Sequence, residues 1–349
     1  MIGELWWSRL VNSVRFLDDV KDALIDGKSV IMNFSDNIPW LDIMTETLEQ
    51  KLAFMTASRS FEVHDASKIN VPPGRYLFER FCNEAQRNEY WPKRDKSYER
   101  FLATNEKTIL NHRIICVTGI NSGNANAWQK TVNEYLENRN SDEKCIFILV
   151  VKGANTNKSK FVCNIRYSDY ITDYDCLMLC LTMLSTAKCN STQKQYISEI
   201  ASNISHNNVE IAGILATAEL ALAENPVATA MDVLEENNII IKNLEERVKT
   251  SVWKAQIKLV FPRLEDFRRE LIYKYKSKLQ KRLPIKSSIG EIVNKVSELE
   301  IGQLYFICCQ SKLVEKSEFE LLKNMREARN LLAHRDILNY SQLSELDIL

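Results

Sequence analysis

Six residues near the C-terminus, Arg329-Asn330-Leu331-Leu332-Ala333-His334, combine a guanidinium, an amide and an imidazole within two helical turns. An arginine fork binds a phosphate and stabilises charge that develops on it. A histidine takes or gives a proton near neutral pH. Together they make the least equipment needed to cut RNA without a metal. The attacking 2′-hydroxyl belongs to the substrate, so no protein nucleophile is required.

The segment reads as helix. With about 100° per residue and Leu321 at zero, Met325, Ala328 and Leu332 fall within about 40° of it. Arg326, Asn330 and His334 recur at i, i+4 and i+8 on the other side, with Arg329 flanking them. His334 is expected to act as base on the 2′-hydroxyl or as acid on the leaving 5′-oxygen, giving a 2′,3′-cyclic phosphate. Arg329 would hold the scissile phosphate, and Asn330 would orient the phosphate or the imidazole. One histidine supplies half of an acid–base pair. Two copies facing each other in a symmetric dimer would supply both halves. The competing reading is an exposed helix whose polar residues have no task.

Other chemistry is thinly represented. The 46 Lys and Arg balance 46 Asp and Glu, so only local charge clusters point to partners. Nine cysteines, most of them in apolar runs, read as free thiols in a reducing cytoplasm. Cys176, Cys180 and Cys189 lie closest together, but match no common zinc spacing and have no histidine near, so no metal is expected. Met1 to Leu10 places Glu4, Trp6 and Trp7 where a signal peptide needs a basic and then an apolar stretch. No apolar run approaches the length of a membrane span.

Residues 1–185 alternate strand-like and helix-like segments. Ser29–Phe34, Arg113–Thr118 and Cys145–Val151 are apolar, β-branched runs; Phe61–Val63 and Phe161–Arg166 are shorter candidates. Leu5–Ile25, a stretch from about Leu41, 75–104 and 125–138 read as helix. The pattern predicts an α/β domain with a parallel sheet covered on both faces. Gly27-Lys28-Ser29 mimics the end of a phosphate-binding P-loop, but it precedes its strand instead of following it. The loop after Phe34, Ser35-Asp36-Asn37-Ile38-Pro39, has no glycine or lysine. The strand ends Val117-Thr118-Gly119-Ile120 and Val150-Val151-Lys152-Gly153 offer no acid for magnesium. The strand–loop–helix order resembles the core of a P-loop ATPase of the AAA-like type stripped of its nucleotide chemistry, so no cofactor and no ATPase activity are expected. An unrelated α/β domain is the other reading.

From about residue 174 the strand signal gives way to helices over 174–187, 194–205, 209–224, 226–236, 240–283, 288–310 and 316–335. Pro226 and Pro284 fall at joints of that series. Ser288-Ile289-Gly290-Glu291 has capping-box spacing and predicts a helix start. Residues 186–244 read as a helical connector or lid, and 245–349 as a compact bundle ending in the motif helix. Residues 254–286 carry eleven Lys or Arg against Glu265, Asp266 and Glu270, interleaved with Phe261, Phe267, Tyr273 and Tyr275. Lys274, Lys276, Lys278, Lys281 and Arg282, with Arg326 of the motif helix, are candidate RNA contacts, cations tracking the backbone while aromatics stack on bases. Alternatively the aromatics pack inward and the charges form one solvated face.

Arg329-Asn330 followed by His334, with Phe261–Leu271 and Leu299–Leu304 before it, resembles the HEPN superfamily over roughly residues 245–345. The resemblance implies a helical HEPN-like bundle and metal-independent RNA cleavage at a dimeric composite site, in phage-defence or toxin–antitoxin systems. It gives Arg329, Asn330 and His334 the catalytic roles, RNA as substrate, and a second copy of the chain or a partner protein of a defence system as partners. An α/β domain joined to such a bundle looks like a sensor joined to an effector. The alternative is a non-catalytic assembly or RNA-binding subunit of a defence complex.

Overall fold

The computed structural model describes residues 1–286, 290, 292–311 and 313–349. The chain divides into two units, Met1–Asp175 and Cys176–Leu349.

The first unit runs α1 (Ile2–Arg9), α2 (Val11–Ile25), β1 (Ser29–Phe34), α3 (Leu41–Lys51), α4 (Ala53–Thr56), β2 (Ser60–Asp65), α5 (Pro73–Phe81), α6 (Glu84–Glu89), α7 (Pro92–Asp95), α8 (Tyr98–Thr104), β3 (Arg113–Ile120), α9 (Ala125–Asn138), β4 (Ile146–Lys152) and β5 (Val162–Arg166). The five strands form one sheet in the order β2-β3-β4-β1-β5, and every pairing is parallel. The apolar runs sit where a sheet covered on both faces needs them. Alternation along each strand sends successive side chains to opposite faces. Ile31, Ile115, Val117, Phe147, Leu149 and Val151 pack with Leu77, Phe78, Phe101, Trp128 and Val132 from α5, α8 and α9. On the other face Phe34 meets Phe16 of α2 at 5.7 Å between ring centroids, and Trp7 of α1 packs on Phe16 at 6.3 Å. The single helix expected over Leu5–Ile25 breaks at Leu10, whose extended backbone (φ −77°, ψ 127°) separates α1 from α2.

His64, on β2, is a buried titratable group in this unit. Its Nδ1 lies 2.7 Å from the Tyr76 hydroxyl, and its Nε2 is 3.7 Å from the Glu62 carboxylate without a hydrogen bond. Burial pushes its pKa down; Glu62 opposes that shift, while Arg80 and Arg113 add to it. The ring is therefore held neutral in the fold. Its contribution to stability is complete above the ordinary value of 6.5 and is lost as pH falls below that toward the depressed folded value, where the unfolded chain takes a proton that the fold refuses. Urea midpoints followed from about pH 7.5 to 5.5 should fall more steeply in wild type than in His64→Gln. Parallel profiles would show that His64 is not a source of acid sensitivity.

The helix α10 (Asp173–Met183) spans the boundary between the two units. There follow α11 (Ser191–Ser205), α12 (Val209–Ala216), α13 (Leu220–Glu224), α14 (Pro226–Glu236), α15 (Leu244–Gln280), β6 (Ile285–Lys286), β7 (Ile292–Val293), α16 (Ile301–Gln310), α17 (Lys316–Ala333) and α18 (Tyr340–Glu345). The expected helix 209–224 is two helices, divided before Leu220 where Glu219 takes a left-handed φ of 47°. The expected helix 288–310 starts only at Ile301, because Ile292–Val293 pairs antiparallel with Ile285–Lys286. The capping box at 288–291 lies outside the described residues, which include Gly290 alone of the four. Helices from the 186–244 stretch share a core with α15. Gln256 of α15 is fully buried and donates from Nε2 to the Tyr196 hydroxyl of α11 at 2.9 Å. No helix among the described residues is long and apolar enough to cross a membrane.

Candidate active site

The motif lies on the last turns of α17. Leu322, Met325, Ala328 and Leu332 are buried, so the apolar stripe is the expected one with Leu322 in place of the half-buried Leu321. Arg329 and His334 are exposed, and Asn330 and Arg326 are half-buried. The Arg329 guanidinium donates from Nη1 to Asn330 Oδ1 at 3.1 Å. That contact occupies the amide's acceptor and leaves its NH₂ to donate to a phosphate oxygen or an imidazole. The His334 side chain makes no hydrogen bond or ion pair among the described residues, so both ring nitrogens are open to a substrate.

The helix end that presents His334 is fixed by a Schellman motif. His334 is the C-cap, Arg335 takes a left-handed φ of 65°, Asp336 N–H bonds Leu331 C=O at 3.0 Å and Arg335 N–H bonds Leu332 C=O at 3.2 Å. Trp253 of α15 adds a tether, donating its indole N–H to Leu332 C=O at 2.8 Å while the Arg335 guanidinium lies 5.5 Å over its ring. Sequence reasoning did not single out Trp253 or Arg335. Arg335 adjoins the motif, but a left-handed arginine carries no sequence signal, and Trp253 lies 79 residues from Leu332.

The candidate RNA contacts do not all gather at the motif. Lys274 is engaged by Glu318 at 2.7 Å and Glu315 at 3.5 Å, which raise its pKa, and so it is not a free phosphate contact. Tyr275, where α15 departs from helical geometry, donates its hydroxyl to Glu318 Oε2 at 2.5 Å. Lys278 lies 5.3 Å over the Tyr275 ring. Arg326 is stacked 4.7 Å over Tyr305 of α16, which itself stacks on Phe319 at 5.5 Å. Lys276, Lys281 and Arg282 are exposed and have no acidic partner among the described residues; Tyr273 beside them is 87% exposed.

These pairings fix a direction. Lys274 and Tyr275, late in α15, meet Glu318 at the start of α17, whereas Trp253, early in α15, meets Leu332 at its end. The two helices are antiparallel, and at about 1.5 Å per residue the basic end of α15 lies roughly 20 Å along α17 from the motif. Arg326, one turn before Arg329, and Arg335, just after His334, are cations on the motif's own segment.

In the α/β unit, Gly27-Lys28-Ser29 enters β1 at its amino end. The Lys28 ammonium pairs with Asp26 at 3.4 Å, and Ser29 Oγ accepts from Phe147 N–H at 3.0 Å. The opposite end of β1, where a phosphate loop would lie, is tied to its neighbours. Gly153 N–H bonds Phe34 C=O at 2.8 Å, Asn33 donates to Ala154 C=O at 3.3 Å, and Trp7 donates its indole N–H to Pro39 C=O at 2.9 Å. One carboxylate does stand at this edge, on a strand other than β3 and β4. Asp65 ends β2, and its Oδ1 accepts from Ser67 Oγ at 2.6 Å and Ser67 N–H at 3.0 Å, which hold its pKa down. Gly119 (φ 68°) passes so close that a Cβ there would lie 2.3 Å from that oxygen. No group of histidine, cysteine and acidic residues suited to a metal ion occurs among the described residues.

Fold and site thus define an α/β unit with a parallel sheet, followed by a helical unit with Arg329 and His334 exposed and Asn330 half-buried beside them. No family model matches the chain, and no curated protein does. Among solved structures, the chain is similar to that of C. elegans PCH-2, at 14% identity and a TM-score of 0.28 over 71% of this chain. The match spans 65% of that protein's chain, just under two thirds of its length.

Proposed function

We propose that the helical unit is a HEPN-type metal-independent endoribonuclease and that the α/β unit regulates it, as the effector and sensor of a prokaryotic phage-defence or toxin system. The observation that carries the proposal is the hydrogen-bonded Arg329–Asn330 pair beside an exposed His334, whose ring has no partner among the described residues, on a tethered helix end. Arg329 binds the scissile phosphate, Asn330 donates its amide to a phosphate oxygen or the imidazole, and His334 moves the proton. A second copy supplies the second histidine. The α/β unit is read as a degenerate P-loop ATPase core. The absence of glycine and lysine from residues 35–40 supports a scaffold in place of an ATPase.

Incubation with structured and unstructured RNA in EDTA tests the proposal. Wild type should release fragments ending in 2′,3′-cyclic phosphate and 5′-hydroxyl. If wild type cuts no RNA, or if His334→Ala cuts as fast as wild type, the non-catalytic assembly role replaces it.

The split of the basic cluster adds a second expectation. RNA held at Lys276, Lys281 and Arg282 would reach the motif only as a strand a few nucleotides long or more. Replacing these three by alanine should weaken RNA binding and lower the slope of log K against log salt by about two to three. Lys274→Ala should change that slope little, because its charge is already spent on Glu315 and Glu318. Equal slope changes for Lys274 and for each of the three would show that the ion pairs open to admit RNA.

A further inference from the structure

A cavity of about 320 Å³ in the α/β unit lies between α2 and the carboxyl end of β5, lined by Asn12, Arg15, Asn164, Arg166, Asp169 and Tyr170. Its volume is at the lower end of the range of small-molecule sites, about 300–1,000 Å³. Two guanidinium groups converge on it, Arg15 from α2 and Arg166 from the last position of β5, and neither makes a hydrogen bond or ion pair among the described residues. Elsewhere in this unit, Arg94 forks onto Asp95, Arg113 pairs with Glu62, and Arg59 donates to the backbone carbonyls of Asp142, Glu143 and Lys144, whereas Arg9, Arg80 and Arg100 likewise make no side-chain hydrogen bond or ion pair among the described residues; what sets Arg15 and Arg166 apart is the shared cavity. Two arginines lining one concavity offer an anion donors from both sides.

The walls are held in place without a hydrogen bond or ion pair from either arginine among the described residues. The Arg15 guanidinium lies 6.0 Å from the Tyr170 ring centroid, and Tyr170 is fixed by donating its hydroxyl to Asp19 at 2.5 Å and by an edge contact with Phe16 at 5.4 Å. Asn12 donates one amide N–H to Asp175 at 2.9 Å and Asn164 donates one to Thr156 Oγ1 at 2.6 Å, which leaves each residue its side-chain carbonyl and a second N–H. Asp169 is the one acid in the lining and makes no ion pair among the described residues. The site therefore joins two anion-binding forks to the Asp169 carboxylate and two asparagine side chains that can accept or donate, which suits a phosphate carried on a group with hydroxyl or amino donors.

We infer that this cavity binds the phosphate of a small phosphomonoester, with Arg15 and Arg166 clamping the phosphate and Asp169 accepting from the group that bears it. The cavity and its readout belong to the α/β unit, whereas the proposed ribonuclease site belongs to the helical one. Titration calorimetry on the full chain tests the assignment with two probes, inorganic phosphate and AMP. AMP should bind, and Arg15→Gln or Arg166→Gln should each weaken it by about tenfold or more. Both arginines are exposed, so the variants should keep the wild-type circular dichroism and melting temperature. AMP binding should be the same in His334→Ala, which separates this site from the helical one. Phosphate binding as tightly as AMP would assign the site to the free ion and would overturn the role given to Asp169. No heat with either probe, or AMP affinity unchanged in the double arginine variant, would overturn the inference as a whole.

Discussion

His334→Ala should lower EDTA-resistant RNA cleavage by about 10²–10⁴-fold while leaving the fold intact, because general acid–base catalysis contributes about that much. The second half of that expectation follows from the exposure of His334, whose ring makes no hydrogen bond or ion pair among the described residues. Its backbone N–H caps the helix through Asn330 and Leu331, and alanine keeps that N–H. Arg329→Ala should cost about 10²–10³-fold through the lost phosphate contact. Arg329→Lys should recover only part of it, since an ammonium lacks the fork that grips two oxygens. Asn330→Ala removes the acceptor of the Arg329 hydrogen bond, and so should act through substrate affinity as much as through rate. If the acid and the base come from two copies, activity per chain must fall on dilution through the dimer dissociation constant. Rates that stay proportional to concentration down to the monomer, measured beside sedimentation, would place both roles on one chain and refute the composite site. Loss of cleavage in His334→Ala together with a shifted circular dichroism spectrum would instead point to a structural role for the ring.

What the sequence disclosed follows the range of the forces involved. Ser29–Phe34 was legible to the residue because a strand buried on both faces must be apolar almost throughout. The solvent-facing placement of Arg329 and His334 was legible because helical periodicity is local. So was most of the long helix over 240–283, which Pro262 does not interrupt: that proline sits inside Leu244–Gln280, whose helical geometry breaks instead at Tyr275. The break at Leu10 was not legible, since no proline or glycine marks it. Nor was the hairpin of Ile285–Lys286 with Ile292–Val293, because strands of two residues carry no period. The basic run illustrates the larger difficulty. Its composition suggests that it shares a site with the motif, but whether a cation lies beside a site depends on helix direction and on distant acids. Glu318 neutralises Lys274 from 44 residues away, and the antiparallel run of α15 and α17 carries the other lysines to the far end of the pair.

The largest loss of stability is expected at Gln256 of α15. Its side chain is fully buried and pairs with the backbone of Leu338 as a neighbouring strand would. Nε2 donates to Leu338 C=O at 2.7 Å and to the Tyr196 hydroxyl at 2.9 Å, while Oε1 accepts from Leu338 N–H at 2.8 Å. Leu338 is itself buried, so water cannot replace these bonds without opening the core. Gln256→Ala leaves three buried polar groups without these partners. At about 1 kcal/mol or more for each, the helical unit should lose about 3 kcal/mol or more, a large share of the roughly 5–15 kcal/mol that holds a domain together. Gln256→Met separates the causes, because it keeps most of the volume and removes only the hydrogen bonds. Gln256→Glu keeps the acceptor for Leu338 N–H but loses both donors, and should be no better than methionine. The effect should reach the motif, since residues 335–338 join the Schellman turn at His334 to this clamp. Hydrogen exchange at 335–338 should speed up in Gln256→Met under conditions where circular dichroism still reports a folded helical unit, and cleavage should fall with it. A methionine variant within about 0.5 kcal/mol of wild type in urea, with unchanged exchange, would show that packing alone holds the segment behind His334.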